Sequence, residues 1–154
     1  MDRITKGYMN NFALSQELHS TSDESKIFEM FACYCVLSRE YADSFDLSDI
    51  VTGGGGDGGI DGIAIIANNV LIHSPEEFDD LVEQTHSITD LNFIFVQAKT
   101  SSSFSGSDIA TFGFGVGDLF KEHPEMVQSD TINEKSAIIS HILSNMVCVR
   151  KKPK

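Results

Sequence analysis

The amino-acid sequence predicts a single mixed α/β domain. Segments in which apolar residues recur at helical spacing alternate with shorter β-rich segments, a pattern typical of helices packed on a sheet. Residues 91–98 are almost continuously apolar, as expected of a central strand that is covered on both faces. The 154 residues, 41% of them hydrophobic, are enough for one domain with its own core. We therefore expect an α/β fold with a mixed central sheet flanked by helices.

Periodicity and turn signals predict each element. Pro75 opens a helix that has two glutamates in its first turn, and Asn68-Asn69 is a turn signal between two β-rich runs, which predicts a hairpin. The run Ser20-Thr21-Ser22-Asp23 predicts a helix cap. In chain order we predict helices over 8–20 and 24–41, an edge strand at 50–51, strands over 60–67 and 70–72, a helix from Pro75, a strand over 91–98, and helices over 108–121 and 132–147.

The predicted domain covers residues 1–154, with a helical extension over 1–22, a core over 23–122 and a C-terminal helix over 130–148. A basic, proline-containing tail at 150–154 follows, where most α/β domains would return to the sheet. We therefore expect the chain to be the N-terminal part of a longer protein, whose remainder is one of its partners.

Composition and charge limit the function. The net charge is −12, from 11 Lys and Arg against 23 Asp and Glu, and such a field repels nucleic acid. No run is long enough to span a membrane and the N-terminus is no secretion signal, so we expect a soluble cytoplasmic, bacterial protein without a membrane partner. The three cysteines, which lack a C-x-x-C pair, are expected to be reduced thiols, and the five histidines form no metal motif.

A glycine-rich stretch at 53–59 precedes the first strand, and six of its seven residues are glycine. It contains G-x-G-x-x-G, but a strand follows it and no G-K-[ST] is present, which disfavours a nucleotide-binding regulatory domain. Glycines allow a ligand to approach the backbone closely, which favours a binding role for the stretch. The alternative is that the stretch is only a flexible connector. We predict that the stretch contacts a substrate phosphate through the residues Gly56, Asp57, Gly58 and Gly59.

Asp61 opens the strand after this stretch, and Gln97 and Lys99 end the later apolar strand on one shared face. If the two strands are antiparallel, all three residues lie at one rim of the sheet. Mg²⁺ binds carboxylate and carbonyl oxygens, which Asp61, the Gln97 amide and the Ala98 carbonyl could supply. A cation there acidifies a bound water and holds a phosphate, and the lysine can position that water or stabilise charge in the transition state.

These residues resemble the catalytic set of the PD-(D/E)xK nuclease superfamily, in the Q-x-K variant typical of Mrr-type restriction enzymes. More narrowly, G-G-x-D-G-G-I-D-G at 54–62 and F-V-Q-A-K-T-S at 95–101 are similar to the N-terminal domain of abortive-infection phage-resistance (AIPR) proteins. The resemblance covers roughly residues 22–122. It implies a restriction-endonuclease-like fold and a Mg²⁺- or Mn²⁺-dependent nuclease.

The resemblance also implies a third acidic residue on the first core helix. Phe28-Glu29 matches the usual F-E of the family, so Glu29 takes that catalytic and metal-binding role, with Glu24 as the fallback; a solvated helix face is the alternative for Glu29. Gln97 departs from the commoner Asp or Glu, which lowers the charge of the site and favours one metal ion.

We therefore expect a metal-dependent DNA endonuclease domain that takes part in phage defence. DNA is the expected partner, with RNA and self-association left open. A non-catalytic nucleic-acid-binding or interaction module that keeps the fold is the alternative, because the acidic charge favours it while the residues Asp61, Gln97 and Lys99 favour the enzyme.

Overall fold

The computed structural model describes residues 1–18, 23–53, 58–126 and 129–145. Over these residues the chain forms a mixed α/β structure of five α-helices, one short 3-10 helix and three strands. In chain order the elements are α1 (Arg3–Ser15), α2 (Glu24–Glu40), the 3-10 helix Leu47–Asp49, β1 (Gly62–Ala67), β2 (Val70–Leu71), α3 (Pro75–Thr85), β3 (Leu91–Val96), α4 (Gly106–Leu119) and α5 (Asp130–Ser144).

The three strands form one sheet in the order β2-β1-β3. The predicted hairpin is confirmed: Asn68 and Asn69, with φ angles of 48° and 63°, turn the chain from β1 into β2. α3 then carries the chain across to β3, so that β2 and β3 lie on either side of β1. β1 pairs with both β2 and β3 in the antiparallel direction, so every pairing in the described sheet is antiparallel. The prediction of a mixed sheet is therefore wrong for the described strands.

Helices cover both faces of this sheet, and all six residues of β1 are buried. One face packs against α3, α4 and α5 and the other against α1 and α2, as the alternation of side chains along β1 requires. The first cluster includes Ile63, Ile65, Phe78, Leu119, Ile138 and Ile142, and the second includes Phe12, Cys33, Leu37, Ala64, Ile66 and Val96. The central strand is therefore β1, and the prediction that residues 91–98 form the central strand is wrong for the described sheet: β3 lies at its edge, and five of its six residues are half-buried or exposed.

The helical extension predicted over 1–22 is part of the packed structure. The ring of Phe12 on α1 lies 5.4 Å from that of Phe31 and 5.2 Å from that of Tyr34, both on α2. α1 begins at Arg3, earlier than predicted, because the side chain of Asp2 accepts hydrogen bonds from the backbone N–H groups of Ile4 and Thr5. Residues 19–22 lie outside the described ranges.

Other element ends differ from the sequence prediction. The predicted edge strand at 50–51 is reduced to one bridge between Val51 and Gly62, which follows the 3-10 helix. The final helix starts at Asp130 with Ser129 as its cap and ends at Ser144. Residues 146–154, which include the end of the predicted helix and the basic tail, are not among those described. No described helix is both long and apolar enough to cross a membrane.

Candidate functional site

The register of β1 and β3 brings Asp61 and Gln97 together. Gly62 pairs with Val96, so Asp61, the next residue outward on one side, lies opposite Gln97 on the other. The backbone N–H of Asp61 donates to the Val96 carbonyl at 2.8 Å, and the N–H of Ala98 donates to Oδ2 of Asp61 at 2.6 Å. The carboxylate is thus oriented by the chain that leaves β3, at the rim of the sheet where the sequence predicts it.

Gln97 also contacts the end of the glycine-rich stretch. A Cβ atom on Gly59 would lie 2.6 Å from Nε2 of Gln97, so a side chain there would displace the Gln97 amide. The φ angle of 74° disfavours a side chain at Gly59 independently. Gly58 presses in turn on α4, since a Cβ atom on Gly115 would lie 2.9 Å from the Gly58 carbonyl oxygen. Of the predicted phosphate-contacting residues, Gly59 contacts Gln97 and Gly58 packs against Gly115 of α4, whereas Gly56 and Asp57 are outside the described residues.

Thr52 closes the base of the glycine-rich stretch, a role that the sequence analysis missed. Its hydroxyl donates to the carbonyl of Ile60, and its backbone N–H donates to the carbonyl of Asp61 at 3.1 Å. Thr52 is buried, and a buried hydroxyl needs such a partner. A lone threonine between an apolar pair and a run of glycines was the available signal. These bonds hold both ends of the stretch together immediately beside Asp61.

Lys99 is held by α4. Its ammonium forms an ion pair with Asp108, and the Lys99 side chain is 33% exposed. Asp108 also accepts from the backbone N–H of Ser105 at 2.7 Å, which completes a capping box at the start of α4. Lys99 first and Ser105 second hold the pKa of Asp108 well below its usual range. The pairing of Lys99 with Asp108, nine residues later, was not predicted from the sequence. An acidic residue in the first turn of a helix is common, so Asp108 did not stand out as a partner for the lysine.

Glu29 and Asp61 act on the same buried thiol. Cys33 lies one helical turn after Glu29 on α2, and its Sγ is 3.6 Å from the Asp61 carbonyl oxygen. Burial and then the charges of Asp61 and Glu29 raise the pKa of Cys33 to about 12. Glu29 is half-buried, while the fallback residue Glu24 is exposed and forms an ion pair with Lys6 at 3.1 Å. Glu29 and Asp61 thus share Cys33 as a neighbour, whereas Glu24 does not act on this thiol.

The residues at this rim have the donor chemistry of a hard cation. Asp61 and Glu29 carry carboxylates, and Gln97 and Ala98 add an amide and a backbone carbonyl oxygen. In the described ranges there is no group of three His, Cys, Asp or Glu side chains able to hold a metal. Oxygen donors of these kinds are those that Mg²⁺ takes in proteins, where it usually keeps several water ligands.

Comparison of the chain with protein-family models, with curated proteins and with solved structures finds no match. We call the rim that carries Glu29, Asp61, Gln97, Ala98 and Lys99 the Asp61 rim.

Proposed function

We propose that this chain is a metal-dependent nuclease domain that hydrolyses phosphodiester bonds, with DNA as the substrate. The observation that carries the proposal is the pairing at the Asp61 rim: Asp61 lies opposite Gln97 at the end of an antiparallel strand pair, and Lys99 follows two residues later. Asp61 comes from one segment and Gln97 and Lys99 from another that is distant in sequence. A scatter of polar residues at strand ends does not account for a carboxylate that is held by Ala98 N–H at 2.6 Å.

The proposal extends to the fold and the biological role. The motifs around Asp61 and Lys99 are similar to those of AIPR proteins, so we propose a restriction-endonuclease-like domain that acts in phage defence. A three-stranded antiparallel sheet between two layers of helices is compatible with that fold without being specific to it. The glycine-rich stretch would then border the bound phosphate, because Thr52 anchors its base next to Asp61.

Each residue of the rim has a chemical task in this proposal. The N–H of Ala98 fixes the orientation of the Asp61 carboxylate, and Asp61, Glu29, Gln97 and the Ala98 carbonyl supply oxygen ligands. These residues would hold Mg²⁺ or Mn²⁺, which would supply an acidified water and neutralise phosphate charge. Lys99 stabilises the negative charge that develops on the phosphate. Asp108 positions the Lys99 ammonium and would have to share it with the substrate.

The Lys99–Asp108 ion pair supports a second candidate, a non-catalytic binding or interaction module. A lysine that is paired to a carboxylate has less positive charge to offer a phosphate, and the chain as a whole carries −12. In that case the rim would serve as a structural junction between α2, β1 and α4. The two candidates differ in one measurable property, which is cleavage that depends on a divalent cation.

Cleavage of plasmid DNA in the presence of Mg²⁺ or Mn²⁺ tests the proposal. We expect activity that chelation abolishes and that Asp61→Asn and Lys99→Ala each lower by at least about 100-fold, the scale of losing one electrostatic stabiliser. Asp61→Asn is informative because the amide oxygen still accepts the Ala98 hydrogen bond while the charge is removed. Lys26→Ala, at an exposed position on α2, is the matched control and should retain full activity.

Two results would contradict the nuclease proposal. One is cleavage by a folded Lys99→Ala protein at the rate of the Lys26→Ala control. The other is binding of DNA or RNA without cleavage under any of these metal conditions, which would favour the non-catalytic module. Circular dichroism of each variant separates a loss of activity from a loss of fold.

A further inference from the structure

The outer face of α4 carries no charged residue. At 3.6 residues per turn, one side of this helix packs on the core through Gly115 and Leu119, and the opposite side faces solvent. We call this exposed side the α4 stripe; it consists of Gly106, Ala110, Gly113 and Gly117, edged by Ile109 and Phe114. In a chain with 22% charged residues, an exposed helix face made only of small and apolar residues indicates a contact surface.

The described part of the fold gives no reason for two of these glycines. Gly115 is required because it contacts Gly58, but Cβ atoms on Gly113 and Gly117 would meet no atom of the described residues within 4 Å. Glycine inside a helix lowers its stability relative to alanine, so these two positions weaken α4 without a packing benefit among the described residues. Glycines spaced four residues apart are the arrangement that lets a second helix approach closely. This is a separate indication of a partner, independent of the exposed apolar side chains.

The stripe combines a protruding side chain with a hollow. Phe114 is 75% exposed, and beside it lies a cleft of about 520 Å³ lined by Gly113, Gly117 and Met126 among others. A cavity of roughly 150 Å³ already holds a benzene molecule, so the cleft has ample room for a phenyl ring. In a twofold dimer the same patch of each copy contacts the other, so the patch must be self-complementary. A patch with a protruding phenyl ring next to a cleft is self-complementary, because the ring of each copy can enter the cleft of the other.

The charges around the cleft are partly paired. Lys121 pairs with Asp118 at 2.9 Å and with Glu125 at 3.6 Å, so one cation serves two carboxylates and each cleft keeps one uncompensated negative charge. Two copies of a chain with net charge −12 repel each other over most of their surface. They approach with least repulsion along the α4 stripe, which has no charged residue of its own.

The available area is sufficient for a specific contact. The exposed fractions are 60% for Ile109, 75% for Phe114, 40% for Phe120 and 38% for Met126. Together with the small residues of the stripe they offer on the order of 500 Å² in each copy. Two copies would thus bury on the order of 1,000 Å², which is the lower limit for a specific interface.

We propose that the chain forms a twofold dimer through the α4 stripe, with Phe114 of each copy seated in the cleft of the other. Gly113 and Gly117 allow the two helices to cross at close range, and Ile109 closes the edge of the contact. The proposal does not depend on nuclease activity, because it uses none of the residues of the Asp61 rim.

Sedimentation velocity of the full 154-residue chain across roughly 1 to 100 µM tests the dimer. We expect the wild type to have twice the chain mass in the upper part of this range. Phe114→Glu should weaken self-association by at least about tenfold, because it places a charge in an apolar contact. Ile4→Glu is the matched control: Ile4 is 73% exposed on α1, and this variant should dimerise as the wild type does.

Gly117→Leu keeps the proposal testable if Phe114→Glu folds poorly. Leucine favours the helix and has open space at this position in the monomer, so the variant should melt no lower than the wild type and yet fail to dimerise. A wild type that stays monomeric throughout the range would overturn the proposal, as would a dimer that survives both Phe114→Glu and Gly117→Leu. Equal loss of the dimer in the Ile4→Glu control would also overturn it.

Discussion

Cys33 shows at the scale of a single residue how the Asp61 rim is built. Its thiol is fully buried at the point where α2 meets the start of β1, and two acidic residues lie around it. A thiolate there would be desolvated and surrounded by like charge, so the protonated form is strongly favoured. Cys33 therefore packs as a small apolar residue beneath the site, consistent with the sequence prediction of a buried reduced thiol. Its raised pKa reflects the nearby negative charges as well as its burial.

The raised pKa of Cys33 predicts a specific loss of stability at alkaline pH. The pKa rises from 9.0 in the unfolded reference to about 12 in the folded chain. Below pH 9 both states hold the proton; above it the unfolded chain releases the proton first, so unfolding becomes easier as pH rises. Urea unfolding of the wild type should therefore lose about 1 kcal/mol more than that of Cys33→Ala between pH 8 and pH 10. Equal losses in the two proteins would contradict the assignment.

The sequence anticipated which residues meet at the rim better than how each is held. Alternation placed Gln97 and Lys99 on one face, and Asp61 was expected beside them only if the two strands paired as antiparallel neighbours, which the register of β1 and β3 supplies. It could not reveal that Lys99 pairs with Asp108, since that contact depends on where α4 starts relative to the end of β3. Likewise, Thr52 and Cys33 have no motif of their own, because they act through backbone carbonyls that any residue would provide.

At the scale of elements, glycines decide how closely the helices approach the strands. Gly62, the first residue of β1, faces Cys33 on α2, and a Cβ atom there would lie 2.5 Å from the thiol sulfur. Gly115 has the same role where α4 meets Gly58. The sequence predicted the glycine-rich stretch as a ligand loop, and packing on α4 is a further reason for its last residues. Such contacts between distant segments cannot be read from local periodicity.

A glycine-to-alanine comparison tests this packing. Gly62→Ala should lower the free energy of unfolding by about 1–3 kcal/mol, because the sulfur of Cys33 or the strand must move. In a Cys33→Ala background the remaining neighbours lie at 3.5 and 3.6 Å, which is ordinary contact, so the penalty should largely disappear. Gly7→Ala is the control: Gly7 lies in α1 with nothing within 4 Å, and alanine there should stabilise the protein by about 0.5–1 kcal/mol.

That comparison is best made as a double-mutant cycle by urea unfolding. The contact is confirmed if the Gly62→Ala penalty depends on the sulfur of Cys33. A penalty of the same size with and without that sulfur would show that the strand conformation, and not the approach of α2, requires glycine at position 62.

At the scale of the whole molecule, local signals predicted where helices start but not how the strands are ordered in the sheet. Cap residues such as Ser74 and Asp23 fixed the helix starts of α3 and α2 close to their predicted positions, because capping is a local interaction. The sheet order β2-β1-β3 was not derivable from local signals, since it depends on which edge of β1 accepts β3. Net charge belongs to no element, and it governs how the molecule meets a polyanion.

The charge of −12 predicts weak binding of this chain to DNA, even if the Asp61 rim is a nuclease site. Few cations are available to displace counterions from phosphates, so the dissociation constant at physiological salt should lie above roughly 10⁻⁴ M. Each phosphate contact contributes about −0.9 to the slope of log K against log salt, and a slope equivalent to only one or two contacts is expected.

Fluorescence anisotropy with a short duplex, Ca²⁺ replacing Mg²⁺ to limit cleavage, measures both the dissociation constant and this slope. Lys99→Ala should make the slope shallower by about one contact if Lys99 meets a phosphate, and Lys26→Ala should leave it unchanged. Tight binding that is insensitive to salt would show that recognition uses a surface other than the Asp61 rim.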